Sequence, residues 1–396
     1  MFKRLIAPSC ALIASLAVLQ PAQARIKLIT LPERQRVEVQ LDNPNATLVE
    51  EERIVPLLAG TNQIDFSWAN TAIDSGSILF RVIGPVEGKE MKINVLSVSY
   101  PPNENALVWQ VSSSESGSAR VRISYVLGNL SKSFNYRAIA AKDETTLDLQ
   151  QYIRIANLAN ESFGSTGLWA GFGPRFLKPI GLNETKEMLM QNCAKVPITK
   201  TYTCNPAEFD YLDRAQNKLR VPMHYVLKND KANQMGLAPL QYGKVRIFQD
   251  DGKGTTAFTG EDWGKFTPID DEMKLYLGVA QDIVVKRTIA RNQRQRIAGN
   301  LNNLDVVIQY EIENFKDKPV TLDVTENIPF VRSEIGRNTG RDVEWKSGDE
   351  TTLGALDATK TTVDTAVFHV KLPARGADGK AEKVVQKFQL IIKNEW

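Results

Sequence analysis

The sequence predicts an all-β protein built of several stacked, immunoglobulin-like antiparallel β-sandwiches with little helix. Period-two segments dominate the 396 residues, with β-branched and aromatic side chains alternating with polar ones. Clusters of Gly, Asn, Asp and Pro punctuate them at strand-length intervals. Sustained 3.6-residue periodicity is scarce.

Hydrophobic residues make up 42% and charged residues 24%, a globular composition and not a disordered one. The first residues, MFKRLIAPSCALIASLAVLQPAQAR, have the layout of a secretory signal. Lys3 and Arg4 precede an apolar run from Leu5 to Leu19, and Ala22-Gln23-Ala24 gives the small-x-small site before Arg25. Cleavage between Ala24 and Arg25 is expected, leaving a secreted, periplasmic mature chain. The apolar run falls short of the roughly 20 residues a span requires and contains Pro8, and no later stretch is long enough, so the chain is not expected to span a membrane. Cys10 precedes most of the run instead of ending it, which argues against a lipid anchor. Removing residues 1–24 takes away two bases and no acid, leaving 47 Lys plus Arg against 46 Asp plus Glu. That balance gives no case for a nucleic-acid partner.

The elements follow in order. An N-terminal β domain is expected over 25–104, with strands RVEVQL (36–41), ILFRVIG (78–84) and KINVLSVSY (92–100); the prolines of SYPPNENA (99–106) remove ladder donors and mark its end. A central sandwich is expected over 105–289, opening on ARVRISYVL (119–127). Within it, an insert at about 177–215 holds the best helix candidate, NETKEMLMQN (183–192), with Asn183 as N-cap. Cys193 and Cys204 then close CAKVPITKTYTC, read as a disulfide of an oxidising compartment contributing about 3 kcal/mol at most. The spacing is not Cys-x-x-Cys, and two thiolates without a nearby His make a poor zinc cage. A C-terminal immunoglobulin-like domain is expected over 290–396, with strands VVIQYEIEN (306–314), TLDVT (321–325) and AVFHVKL (366–372). A weak internal echo, IRIAN, YVLKN and YEIEN, ends strands at Asn157, Asn229 and Asn314, where Asn suits a left-handed exit.

The stretch YGKVRIFQDDGKGTTAFTGED (242–262) reads as strand, glycine turn, strand. Its Gly252-Lys253-Gly254-Thr255 centre lacks the spacing and the helix of a phosphate loop, and Gln249 breaks a calcium-loop pattern. Residues 225–288 around it resemble the C-terminal domain, a domain of unknown function, of the bacterial mucoidy-inhibitor-A-like family. The resemblance rests on Asn229, Pro239, Gly243, Val245, Ile247, Phe248, Gly278, Ala280, Asp282 and Arg287. ISYVLGNLSKSFNYRA (123–138) and ATLVEEERIVPLLAGTNQIDF (46–66) are similar to other parts of that family, with Lys132 or Ser133 standing where it often has Trp. The resemblance implies a cell-envelope setting and carries over no catalytic residue; the coiled-coil insert of many members is lacking.

Chemistry-bearing motifs are few. His224 and His369 both read as ordinary strand residues, and no nucleophile motif is present. The acid pairs Asp250-Asp251, Glu261-Asp262 and Asp270-Asp271-Glu272 read as solvated turns, since neighbouring strand residues point to opposite faces. Two segments are candidates for partner binding. KRTIARNQRQRIAG (286–299), read as a surface loop, groups Arg291, Arg294 and Arg296 without an acid. SFGSTGLWAGFGPRF (162–176) sets Trp169 and Phe172 among glycines, as a ledge for a sugar or a partner, or as rings capping the core. The expected function is a non-catalytic envelope binding or scaffolding protein without cofactor or metal, its partner an envelope protein or polysaccharide. The alternative is a carbohydrate-active hydrolase using scattered carboxylates. The sequence is silent on oligomeric state.

Overall fold

The computed structural model describes residues 27–86, 90–337 and 342–395. The signal-like segment, with Ala24 and Arg25, lies outside the described residues. Those described form strands β1 (Lys27–Thr30), β2 (Arg34–Gln40), β3 (Thr47–Leu57), β4 (Gly60–Ser67), β5 (Leu79–Pro85), β6 (Ile93–Ser99), β7 (Ala106–Ser113), β8 (Gly117–Leu127), β9 (Leu130–Ala140), β10 (Thr146–Asn157), β11 (Phe163–Trp169), β12 (Phe176–Ile180) and β13 (Thr185–Pro197). The second half contains β14 (Thr199–Cys204), β15 (Lys218–Leu219), β16 (Pro222–Lys228), β17 (Gly243–Asp250), β18 (Thr256–Gly264), β19 (Glu272–Val279), β20 (Ile283–Ala298), β21 (Leu301–Asn314), β22 (Val320–Asn327), helix α1 (Ile328–Glu334), β23 (Glu344–Ser347), β24 (Ala355–Leu356), β25 (Thr365–Leu372) and β26 (Lys383–Glu395). The all-β expectation is what the structure shows. Among the described residues no helix is long and apolar enough to cross a membrane.

Five sheets result. The first, β1-β4-β7-β6, faces the second, β12-β11-β2-β3-β8-β5, and ring centroids of Phe66 and Tyr125 meet at 5.9 Å and of Phe80 and Trp109 at 4.6 Å between them. The third, β13-β10-β9-β17-β18, shares that apolar core with Tyr225, Leu227, Met273 and Leu275 of β16 and β19. These two strands belong to the fourth sheet, β19-β16-β14-β22-β25-β24. Its other end faces the fifth, β15-β20-β21-β26-β23, around a second core in which Phe368 and Phe388 lie 4.9 Å apart. Pairings are antiparallel except β1 with β4, β2 with β11, β9 with β17 and β14 with β22.

Strand pairing crosses both expected domain limits. Residue 104 falls in the turn between β6 and β7, neighbours in one sheet, and residue 290 falls inside β20. The prolines of SYPPNENA therefore make a hairpin turn. β11 and β12 return from the middle of the chain to the second sheet by pairing β11 with β2.

Two expectations fail here. Residues 183–192 are no helix: β13 pairs along β10, from Ala156 opposite Thr185 to Thr146 opposite Pro197, and Asn183 sits in a turn with φ +55° instead of capping a helix. Burying Met188, Cys193 and Val196 on one sheet face outweighs the local preference of the Glu-Met-Leu-Met run. Nor do Cys193 and Cys204 form a disulfide; both thiols are free and buried. Cys193 lies in the first core and Cys204 in the second, because β13 and β14 run extended almost end to end. Eleven residues at about 3.3 Å each carry the chain from one core to the other. Burial pushes the Cys204 thiol up to about 12.

The echoed asparagines do end strands, for a different reason from the one expected. None of the three is in the left-handed region. Each is buried and uses its side-chain amide as a staple. Asn157 Nδ2 donates to the Glu161 and Gly181 carbonyls while its Oδ1 accepts from Ala159 N. Asn314 Nδ2 donates to Lys318 and Pro373 while its Oδ1 accepts from Lys316 N. Asn229 donates to Ala238, Thr267 and Pro268 and accepts from Gly236 N.

Candidate functional site

The tip of the hairpin β17–β18 is tied together by its own aspartates. Asp250 accepts from Gly252 N, and Asp251 accepts from Lys253 N, Thr255 N and Thr255 Oγ1, so both aspartates serve the turn's own backbone while Gly252 and Gly254 supply its positive φ. Glu261 and Asp262 lie within β18 and not in a turn, whereas Asp270 and Asp271 precede β19. Asp262 accepts from Trp263 N and Tyr276 N, Asp271 from Glu272 N, and Glu261 from Lys244 Nζ.

The chemistry lies at the hairpin's open end. Tyr242, just before β17, and Trp263 on β18 are 59% and 51% exposed, yet their rings stack 5.3 Å apart at 7°. Cross-strand pairing puts Trp263 opposite Lys244, whose Nζ stands 5.4 Å from its ring centroid. Gly243 between them is required: a Cβ there would come within 2.2 Å of the Phe134 carbonyl oxygen.

This aromatic pair borders a groove of about 570 Å³ that runs between the loop Leu41–Thr47 of the first sandwich and the β8–β9 connection with the start of β9. Asn43, Asn45, Asn129, Ser131 and Gln241 line it with amides and hydroxyls, and Lys132 is its one ionisable cation; no lining residue is Asp or Glu. Burial against the groove wall lowers the Lys132 pKa below its ordinary value, with nearby Asp42 pulling the other way. The structure thus places one cation in an otherwise uncharged, aromatic-edged cleft.

Trp169 and Phe172 adjoin the same region. Trp169 ends β11, is 38% exposed, and accepts Leu41 N through its carbonyl at 2.8 Å. Phe172 packs on Phe134, a wall of the groove, at 5.7 Å. Phe163 of the same segment is buried in the core, so core capping and exposed ledge are divided between residues. Tyr242 and Trp263 were not singled out by sequence pattern, and Lys132 only as a departure from the family resemblance; the signal available was Trp263 on the solvent face of a hairpin strand.

The basic run is a strand, not a surface loop. β20 extends to Ala298 and pairs with β21 along its length. Arg291 is held by Asp305 at 3.0 Å and Glu350 at 2.7 Å, whereas Arg294 donates to Asn302 and Arg296 to the Gly299 carbonyl. The arginines are thus not a uniform cationic patch, since the first is neutralised by acids from elsewhere in the fold. Arg287 of the same run is buried against Glu326.

Carboxylates do gather on the outer face of the second sheet, around a smaller cavity of about 210 Å³ lined by Glu38, Glu50 and Glu52 with Arg36, Arg122 and Arg175. Each is ion-paired: Glu38 with Arg36 and Arg175, Glu50 with Arg81, Glu52 with Arg122. The hydrogen bond from Arg122 lowers the Glu52 pKa, the opposite of what a general acid requires. No aromatic residue lines this cavity.

The two histidines differ. His224 lies half-buried beside the Tyr276 ring, and desolvation lowers its pKa. His369 on β25 is clasped between Asp323 Oδ1 at 2.6 Å and Asp357 Oδ2 at 3.0 Å. The Asp323 hydrogen bond, joined by that to Asp357, raises its pKa, while bonds from Thr359 and His369 hold the Asp357 carboxyl well below the usual range. A group whose folded pKa is raised contributes stability that is complete below its unfolded value, about 6.5, and is lost as pH rises through the folded value. Replacing His369 by Ala is therefore expected to lower the melting temperature more near pH 5.5 than near pH 9; an equal effect at both would show that the clasp carries no charge. Among the described residues no group of three His, Cys, Asp or Glu is placed to hold a metal ion.

Compared with protein-family models the chain matches none, and no curated protein matches it.

Proposed function

We propose that this chain is a non-catalytic binding or scaffolding protein of the bacterial cell envelope, and that the groove edged by Tyr242 and Trp263 holds a glycan chain. The observation that carries the reading is the pairing of exposed, stacked aromatic rings with a groove lined by amides and hydroxyls and free of carboxylates. Rings stack on the C–H faces of sugars, and Asn, Ser and Gln side chains meet their hydroxyls. Lys132 favours a glycan bearing acidic groups. The segregation of ion-paired carboxylates to a separate cavity without aromatic residues supports binding over hydrolysis, which needs two carboxyl groups flanking the bound bond. The secretory-type N-terminus and the family resemblance support the envelope setting.

Titration of the full chain with purified envelope polysaccharides, read by tryptophan fluorescence and calorimetry, tests this. Tyr242→Ala and Trp263→Ala are each expected to weaken binding about tenfold. Both side chains are more than half exposed, so the fold should survive. Failure of every polysaccharide to bind, or unchanged affinity in both variants, rejects the reading.

A further inference from the structure

We propose that β6 is a pairing edge through which two copies of this chain join their first sheets, strand to strand and antiparallel about a twofold axis. Exposed sheet edges offer unpaired backbone donors and acceptors, and proteins ordinarily blunt them with charge or brevity. The five sheets have ten edge strands: β1, β6, β12, β5, β13, β18, β19, β24, β15 and β23. Eight contain a charged residue, and β24 has two residues only. β6 is seven residues long, INVLSVS, and contains no charge.

Beyond Ile93, which packs on the first core, its apolar face is open among the described residues. Ile93, Val95 and Val98 stand opposite Ser113, Val111 and Trp109 of β7, the side that packs into the sandwich. On β7 that face is sealed, with Val111 at 0% and Trp109 at 4% exposure, whereas Val95 is 44%, Val98 45% and the following Tyr100 52% exposed. The apolar layer thus runs to the margin of the sheet and stops there, and no described strand pairs beyond it.

A second copy fits because the strand complements itself. The ladder with β7 steps from Val95 to Ser97, leaving Leu96 as a bulge, so Ile93, Val95 and Val98 share one face despite their spacing. Laid antiparallel on itself about the Leu96–Ser97 step, β6 sets Ile93 against Tyr100, Val95 against Val98 and Asn94 against Ser99 of the other copy. Apolar residues then meet apolar residues on the face toward the core, Asn94 meets Ser99 on the other, Leu96 of the bulge stands opposite Ser97, and no like charges are opposed. The result is one continuous eight-stranded sheet.

Sedimentation of the full chain across a dilution series should show a reversible dimer. Val95→Lys with Val98→Lys supplies the edge charges that the other strands have, and is expected to weaken that dimer about 100-fold or more with the β-type circular dichroism unchanged. Register is tested separately, in case the lysines disturb folding. Val95→Cys with Val98→Cys should yield a covalent dimer on mild oxidation, because residues 95 and 98 of different copies face each other, while Val95→Cys with Ser99→Cys should yield much less; Cys193 and Cys204 are buried, and Cys10 is common to both variants. The proposal is overturned if the unaltered chain is monomeric throughout, if the lysine variant folds and still dimerises equally well, or if the two cysteine pairs cross-link alike.

Discussion

Replacing Arg287 by alanine is expected to lower the unfolding free energy by about 3–5 kcal/mol, the usual cost of stranding one partner of a buried ion pair. Arg287 is 2% and Glu326 0% exposed. The guanidinium meets both carboxylate oxygens, Nε to Oε1 at 2.7 Å and Nη2 to Oε2 at 3.1 Å, and its Nη1 reaches Glu334 at 2.7 Å. Tyr310 Oη also donates to Glu326, and the Phe330 ring lies 5.9 Å from the guanidinium carbon. One cluster thus ties β20, β21, β22 and α1 together inside the second core. Burial alone would lower the Arg287 pKa, but Glu326 more than offsets it and holds the charge, while burial and the same carboxylate drive the Tyr310 hydroxyl far up. In Arg287→Ala, Glu326 is left buried without its cation, with Tyr310 still donating to it. The double variant Arg287→Met with Glu326→Leu removes both charges and keeps volume, so it should lose clearly less than the single change. Urea denaturation of both, followed by circular dichroism, decides. A loss under about 1 kcal/mol in Arg287→Ala would put this pair in the class of surface salt bridges.

Much of the fold was legible because burial follows the pleat. β10 alternates buried and less buried positions from Leu147 to Asn157, and β21 does so along most of its length, so the sequence's period of two is a direct record of which side faces the core. What stayed hidden depends on pairing distant in sequence. Residues 183–192 have helix-forming composition, and only their place beside β10 makes them a strand. The cysteine spacing resembled a loop closure because sequence distance says nothing about two cores lying on either side of residue 198. The α-helix that forms among the described residues, α1, is short and was missed, although Asn327 caps it by accepting from Phe330 N and Pro329 enters its first turn. The groove was unreadable for the same reason as the disulfide. Its walls come from residues near 44, 130, 242 and 263, which the parallel pairing of β17 with β9 brings together.

Asn229→Ala is expected to be nearly as damaging as loss of the buried ion pair, at about 3 kcal/mol, although it removes no charge and little apolar area. The two amide hydrogens of Asn229 are shared among three carbonyls, and its Oδ1 accepts one backbone N–H, at the junction of β16 with the loops around Gly236 and Thr267. Buried polar groups that lose a partner each cost about 1–3 kcal/mol, and the site has 0% exposure, so solvent offers no ready substitute. Asn229→Asp separates the hydrogen-bonding role from the space-filling one. Its protonated carboxyl still donates one hydrogen bond, but its ionised form sets a negative charge against the carbonyl oxygens, so its folded pKa must lie above the unfolded value of about 3.9. Stability is then retained below about pH 4 and lost as pH rises through the raised folded value. Denaturation of Asn229→Asp beside the unaltered chain should show a gap that widens between about pH 4 and pH 8. A gap that stays constant or narrows would mean that the amide is not the donor holding those carbonyls, and the equivalence of Asn157, Asn229 and Asn314 as staples would fall with it.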